Sequence, residues 1–208
     1  MKISPEKLAV EAEATGFRPD VLGKAAQLLG LLDALRSHPF LKGKLVLKGG
    51  TALNLFLFDV PRLSVDIDLN YVGAEDRDGM LAERPKIEQA VQAVIAREGF
   101  TVRRMPEEHA GGKWSLRYGN GPGGGGNLEV DLNFMFRVPL WPLTIRDSYS
   151  VGPWRATEIP VLNQHELEGP VRWPYDSPNG RNRFQPPAHR VCRLRRNEQK
   201  GLEDGFCR

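Results

Sequence analysis

Cysteine is nearly absent: Cys192 and Cys207 are the two in 208 residues. Neither a cysteine pair nor a cysteine–histidine cluster has zinc-ligand spacing, and a disulfide framework is not expected. No apolar run reaches membrane-spanning length, and the N-terminus has no basic-then-apolar leader pattern. No membrane partner is expected, and the expected location is the cytoplasm. Charge of one sign is also lacking. The formal net charge is +3, too small to point to a nucleic-acid partner by itself. No internal repeat is visible. His38, at the end of a helical pattern, reads as a surface or capping residue.

What is present is an ordinary soluble composition, 40% hydrophobic and 26% charged, at a length that supports one good-sized domain or a domain with an appendage. The appendage has a boundary. From Glu168 onward there are nine Lys and Arg against five Asp and Glu, leaving 20 basic and 21 acidic residues before it. That last stretch holds five prolines, eight arginines and little apolar periodicity. Residues 1–167 are read as the domain, with its core over about 20–167. Residues 168–208 are read as an irregular basic tail.

Within the domain the periodicity alternates between helix and strand. A short helix is expected over Glu6–Ala14. A longer amphipathic one is expected over Val21–Arg36, with Asp20 as its cap and leucines at helical spacing. Leu45–Lys48 reads as a strand, Gly49-Gly50 as a turn and Thr51–Phe58 as a helix closed by Pro61. Ser64–Tyr71 is the next strand. Asp76–Met80 is expected to be loop, with Pro85 opening the following helix. Strands are expected at Phe100–Arg104, Lys113–Tyr118 and Leu128–Phe136. The glycine-rich run Gly119–Gly126 is read as a flexible hairpin loop that forms no packed element. A phosphate cradle is the other reading of that run, but it lacks the Lys-Ser/Thr of a P-loop. Pro139–Trp154 is expected to be irregular. An extended piece at Ile159–Leu162 then leads into a helix capped by Asn163.

Two stretches carry chemistry. Asp66 and Asp68 lie at i, i+2 in a strand, so both carboxylates take one face while Val65, Ile67 and Leu69 take the other. Neighbouring carboxylates repel, and a divalent cation is the best partner for them. Asp131, on a later strand, converges with them if the two strands are neighbours. Such a set can hold Mg²⁺ on the phosphates of a nucleoside triphosphate, with Asp131 as metal ligand or as general base. The glycine pair lets a phosphate approach the backbone at a strand-to-helix turn. Thr51 can add a hydroxyl, and Lys48 or Arg62 can add positive charge. The candidate nucleotide-binding set is therefore Lys48, Gly49, Gly50, Thr51, Arg62 and Ser64. The catalytic and metal set is Asp66, Asp68 and Asp131.

The order Lys48-Gly49-Gly50-Thr51-Ala52-Leu53, a helix, then Arg62-Leu63-Ser64-Val65-Asp66-Ile67-Asp68-Leu69 resembles the AbiEii/AbiGii toxin family of nucleotidyltransferases, within the polymerase-beta-like superfamily. Leu128-Glu129-Val130-Asp131-Leu132-Asn133 and the later Ile159-Pro160-Val161-Leu162 are similar to the family as well. The resemblance implies an α+β minimal nucleotidyltransferase fold, a mixed sheet flanked by helices. It implies transfer of a nucleotide from a triphosphate, with Mg²⁺, to an RNA acceptor such as tRNA, within a toxin–antitoxin or abortive-infection system with a cognate antitoxin. Carried over by position, Gly50 and Thr51 contact phosphate, Asp66 and Asp68 bind metal, and Asp131 is the third acid.

The chain also departs from the pattern. In the family the segment after Ile-Pro-Val-Leu opens a long helix bearing a lysine. Here the helix begins at Glu166-Leu167 and gives way to proline- and arginine-rich sequence. The expectation is a shifted reading frame or a truncation from about Glu168, which would leave this chain weakly active or inactive. Two other readings stay open: a non-catalytic nucleotide- or RNA-binding protein, and a transferase acting on a protein or a small molecule.

Overall fold

The computed structural model describes residues 3–58, 63–104, 111–119 and 125–167. Arg62, Pro61, the tip of the glycine-rich run and the tail from Glu168 lie outside the described residues.

Among the described residues, seven strands form one mixed sheet. They are β1 (Leu45–Lys48), β2 (Asp66–Tyr71), β3 (Thr101–Arg104), β4 (Gly111–Gly119), β5 (Gly125–Asn133), β6 (Thr144–Arg146) and β7 (Ile159–Val161), in the spatial order β3-β4-β5-β2-β1-β7-β6. The β2–β5 and β1–β7 pairs are parallel and the others antiparallel. The helices are α1 (Pro5–Thr15), α2 (Pro19–Ser37), α3 (Gly49–Ala52, continued by a π-helical turn over Leu53–Leu57), α4 (Arg77–Arg97) and α5 (Gln164–Leu167). This is the α+β architecture expected from the sequence.

The core lies on one face of the sheet. Ile67, Leu69 and Tyr71 of β2 are buried, as are Leu128, Val130 and Leu132 of β5 and Trp114, Leu116 and Tyr118 of β4. The strand period of two therefore turns the intervening polar residues to the opposite face. The helical leucines Leu22, Leu28, Leu29 and Leu32 of α2 and Ile87, Val91, Val94 and Ile95 of α4 complete this core.

Four local expectations are corrected. α2 begins at Pro19, so Asp20 sits inside the first turn and pairs with Arg18 at 3.0 Å instead of capping the helix. α4 begins at Arg77, not at Pro85. Asp76 caps it, accepting from the Gly79 amide at 2.7 Å. The added turns bring Glu83 to Lys44 at 2.9 Å and to the Tyr71 hydroxyl at 2.7 Å. Pro85 is thus interior, at a cost of about 3 kcal/mol. Ile87, Val91, Val94 and Ile95 are fully buried and contribute roughly 1.5–3 kcal/mol each, which outweighs it.

The glycine-rich run is the third correction. Gly125 and Gly126 pair with Gly119 and Tyr118 in the β4–β5 ladder, so part of the run is strand. The fourth is the stretch expected to be irregular, which contains β6 and a tight turn closed by the Val151–Trp154 bridge. A three-residue strand is too short for alternation to be read.

The first turn of α3 includes both glycines, and its continuation widens into a π-turn in which the Phe58 amide donates to the Leu53 carbonyl at 2.8 Å. The Leu55 carbonyl accepts from the Tyr149 amide at 2.7 Å, which ties the turn to the chain beyond β6. At the end of α2 the Phe40 amide donates to the His38 ring, in line with a capping role.

Candidate functional site

Strand register builds the site. Lys48 of β1 stands opposite Asp68 of β2, Asp68 opposite Asp131 of β5, and Asp131 opposite Lys113 of β4. Paired residues share a face, so one row across four strands reads Lys48, Asp68, Asp131, Lys113. The next row places Asp66 beside Glu129 and Glu129 beside Ser115. The three acids expected to converge do lie on one face of two adjacent strands.

Directly opposed residues have Cβ atoms about 5 Å apart. Two carboxylates at that spacing repel by about 3 kcal/mol at an effective dielectric of 20. The row answers with a lysine at each end. The balance at Asp68 is nevertheless unfavourable to its charge. Burial is the first cause that raises its pKa, and Asp131 and Asp66 add to it, while Lys48 and Lys113 oppose them. A further cation on this face would relieve that penalty.

Lys113 was not singled out from the sequence. It pairs with Glu129 at 3.1 Å and acts on Asp68 across β5. The signal was there: Trp114, Leu116 and Tyr118 mark the buried face of β4, so their neighbours Lys113, Ser115 and Arg117 must take the acidic one.

The glycine turn and the acidic strand are fitted to each other. Gly49 has φ +72°, and a Cβ there would lie 3.0 Å from Asp68 Cγ, with a carboxylate oxygen nearer still. A Cβ on Gly50 would lie 3.2 Å from Ser64 Oγ. Glycine is therefore needed at Gly49 for both its backbone conformation and its contact with Asp68. Gly50 is exposed and Ser64 half-buried beside it, so its backbone is open to a ligand.

Thr51 is engaged within the fold. It is fully buried, and its hydroxyl donates to the Asp66 carbonyl. That hydroxyl holds α3 against the start of β2. Arg62 lies outside the described residues. Asn70, two positions beyond Asp68, is buried with its Oδ1 lacking a donor among the described residues. Such an atom calls for water or a ligand.

The donor set fits a hard divalent ion in an open arrangement. Among the described residues no three Asp, Glu, His or Cys side chains are grouped so that together they could hold a metal ion. Mg²⁺ commonly takes one or two carboxylates and completes its shell with water and phosphate. The Asp68–Asp131 pair, with Asp66 adjacent, meets that requirement. A closed cage, as for structural zinc, is not what this face offers.

The family model described as "Nucleotidyl transferase AbiEii toxin, Type IV TA system" matches residues 30–167. No curated protein matches. Among solved structures, the chain is similar to MenT4, the nucleotidyltransferase toxin Rv2826c of Mycobacterium tuberculosis. The identity is 22% and the TM-score 0.57, over 77% of this chain and 56% of that one. It is also similar to JHP933 of Helicobacter pylori, at 14% identity and TM-score 0.48, over 71% and 53% of the two chains. The chain spans just over half the length of these two structures. The likeness to MenT4 agrees with the fold. Among the described residues no helix is long and apolar enough to cross a membrane.

Proposed function

The chain belongs to the AbiEii family of nucleotidyltransferase toxins, and on that premise we propose that it transfers a nucleotide from a nucleoside triphosphate to an acceptor hydroxyl at the Asp68–Asp131 face. The observation that carries this reading is the opposed pair of carboxylates, with Asp66 on the same face, set against a glycine turn fitted to Asp68.

In this reading Gly49 and Gly50 present bare backbone to the triphosphate, with Ser64 beside them. Lys48 and Lys113 offset negative charge from either side, which favours departure of pyrophosphate. Asp131 accepts the proton of the acceptor hydroxyl. The hydroxyl oxygen forms its bond to the α-phosphorus as the bond to the β-phosphate oxygen breaks. Mg²⁺ would be held by Asp68 and Asp131 with Asp66 alongside, and when bound it supplies charge neutralisation on the phosphates. The acceptor is RNA, with tRNA the first candidate, and the setting is a cytoplasmic toxin–antitoxin system with a cognate antitoxin. These finer assignments rest on the family.

The test is transfer of label. The full chain is incubated with each α-labelled triphosphate, Mg²⁺ and total RNA, beside Asp68→Asn and Asp131→Asn. Label on RNA that both variants lose supports the proposal, and label on protein or a small molecule reassigns the acceptor. A second reading, nucleotide binding without transfer, is favoured by the lack, among the described residues, of any three Asp, Glu, His or Cys side chains grouped so that they could hold a metal ion. Nucleotide-dependent stabilisation with no transfer in any condition would select it.

A further inference from the structure

Three features lie at one end of the sheet, two strands beyond the Lys48 end of the acidic row. β6 is the last strand, and among the described residues nothing pairs with its outer side. Its register sets Thr144 against Val161, Ile145 against Pro160 and Arg146 against Ile159. Pro160 has no N–H to give, so Ile145–Pro160 is the non-hydrogen-bonded kind of antiparallel pair. The Ile145 N–H and C=O therefore both point outward, off the free edge.

The second feature is an apolar cavity of about 310 Å³ beside this edge. Leu32, Leu35, Leu41 and Leu47 line it on the core face, and Ile145 and Pro160 border it at the sheet edge, where the register turns their side chains to the opposite face. Arg36 and Glu158, also lining it, are paired with each other at 3.0 Å, and Lys42 contributes a cation. The third feature is exposed apolar surface. Ile145 is 62% exposed, and Val138, Leu140 and Trp141 on the connection into β6 are exposed as well. Apolar side chains exposed in close succession along one segment suit an interaction surface.

We propose that the β6 edge takes an extended strand of a partner protein, one residue of which pairs with Ile145 through both main-chain hydrogen bonds and lays a large apolar side chain over Ile145. The unpaired main chain of Ile145 selects a strand over a helix. Charge selects its sequence. The partner residue next to the apolar anchor faces the side that carries Arg146, which is exposed. The nearby acids Glu158 and Asp147 are already paired with Arg36 and Arg155. An acidic residue beside the anchor is therefore the complement.

The probes are fluorescein-labelled, terminally blocked octapeptides of alternating threonine and leucine, with glutamate beside the central leucine. Fluorescence polarisation with the full chain is expected to saturate at or below about 1 mM. N-methylation of the central leucine, glycine in its place, or Ile145→Pro in the protein is each expected to weaken binding at least tenfold. Lysine in place of glutamate weakens it less. Ile145→Ala, which keeps the N–H, retains part of the binding, and matched melting curves check that the variants fold. Failure of every peptide to saturate overturns the proposal, as does indifference to N-methylation. Self-association that Ile145→Pro abolishes, without peptide binding, also overturns it and assigns the edge to a second copy of the chain.

Discussion

Substituting Gly49 by alanine isolates the contact that joins the glycine turn to the acidic strand. Two other glycines supply the reference. Gly43 and Gly16 have φ +77° and +74°, close to the +72° of Gly49, yet a Cβ on either would meet nothing within 4 Å. An L-residue in this region costs about 1–2 kcal/mol. The loss of unfolded-state freedom returns roughly 0.4–1 kcal/mol. Gly43→Ala should therefore lose about 0–1.5 kcal/mol. At Gly49 the new Cβ lies 3.0 Å from Asp68 Cγ and 3.1 Å from Asp68 Cβ, well inside the roughly 3.5–4.0 Å of an ordinary carbon contact. Asp68 is held by ladders on both sides, so its carboxylate yields only by turning towards other charges. Overpacking of this kind adds about 1–3 kcal/mol, or roughly 2–12 °C of melting temperature at about 2–4 °C per kcal/mol. Thermal and urea melts of Gly49→Ala, Gly43→Ala and Gly49→Ala with Asp68→Ala measure it. The excess over Gly43→Ala should appear, and should shrink when the carboxyl is gone. Equal losses at Gly49 and Gly43, or an excess that Asp68→Ala leaves untouched, would refute the reasoning.

Asp68→Asn should raise the melting temperature at neutral pH while abolishing transfer. The raised pKa means the folded state holds its proton more tightly than the unfolded chain. The penalty therefore grows as pH rises through the folded value, is complete above it, and disappears below the ordinary aspartate range. The stabilising effect of Asp68→Asn should vanish in acid, and a gain that persists there would contradict the cause given. Glu83 has the opposite sign. Hydrogen bonds from Tyr71 and Lys44 lower its pKa, so its contribution is present above the ordinary glutamate value and lost as pH falls through the folded one. Glu83→Gln should accordingly destabilise at neutral pH and progressively less in acid, as read by melts across pH. Thr51→Val should cost about 1–3 kcal/mol by leaving the Asp66 carbonyl without its donor. Thr51→Ser should cost less in the same urea melts, about 1 kcal/mol for the lost methyl. A smaller loss for valine than for serine would contradict the part given to that hydroxyl in holding α3 to β2.

The acidic face was legible because a strand repeats every two residues. Asp66, Asp68 and Asp131 declared their side through the buried Ile67, Leu69, Val130 and Leu132. The pairing of Asp68 with Asp131 was not legible, because adjacency of β2 and β5 is a matter of topology. Lys113 was overlooked although the same period exposes it. The role of Thr51 could not be read from its type, since a hydroxyl after a glycine pair serves a phosphate or a carbonyl equally well. The start of α4 was misplaced because Pro85 carries a strong local signal, and the distant clasp of Glu83 with Lys44 and Tyr71 overrides it. β6 was missed because three residues on an edge leave no pattern, and its neighbour Pro160 makes sense only once the register is known.

The opposed carboxylates of Asp68 and Asp131 are the proposed place where a divalent ion binds. Mn²⁺ accepts oxygen ligands as Mg²⁺ does, and the loss of the free ion's paramagnetic resonance signal counts the ion that is bound. Titration of the full chain without nucleotide should show a site that Asp68→Asn and Asp131→Asn each remove and Glu83→Gln retains. Mn²⁺ binding that is unchanged in Asp68→Asn would contradict the account.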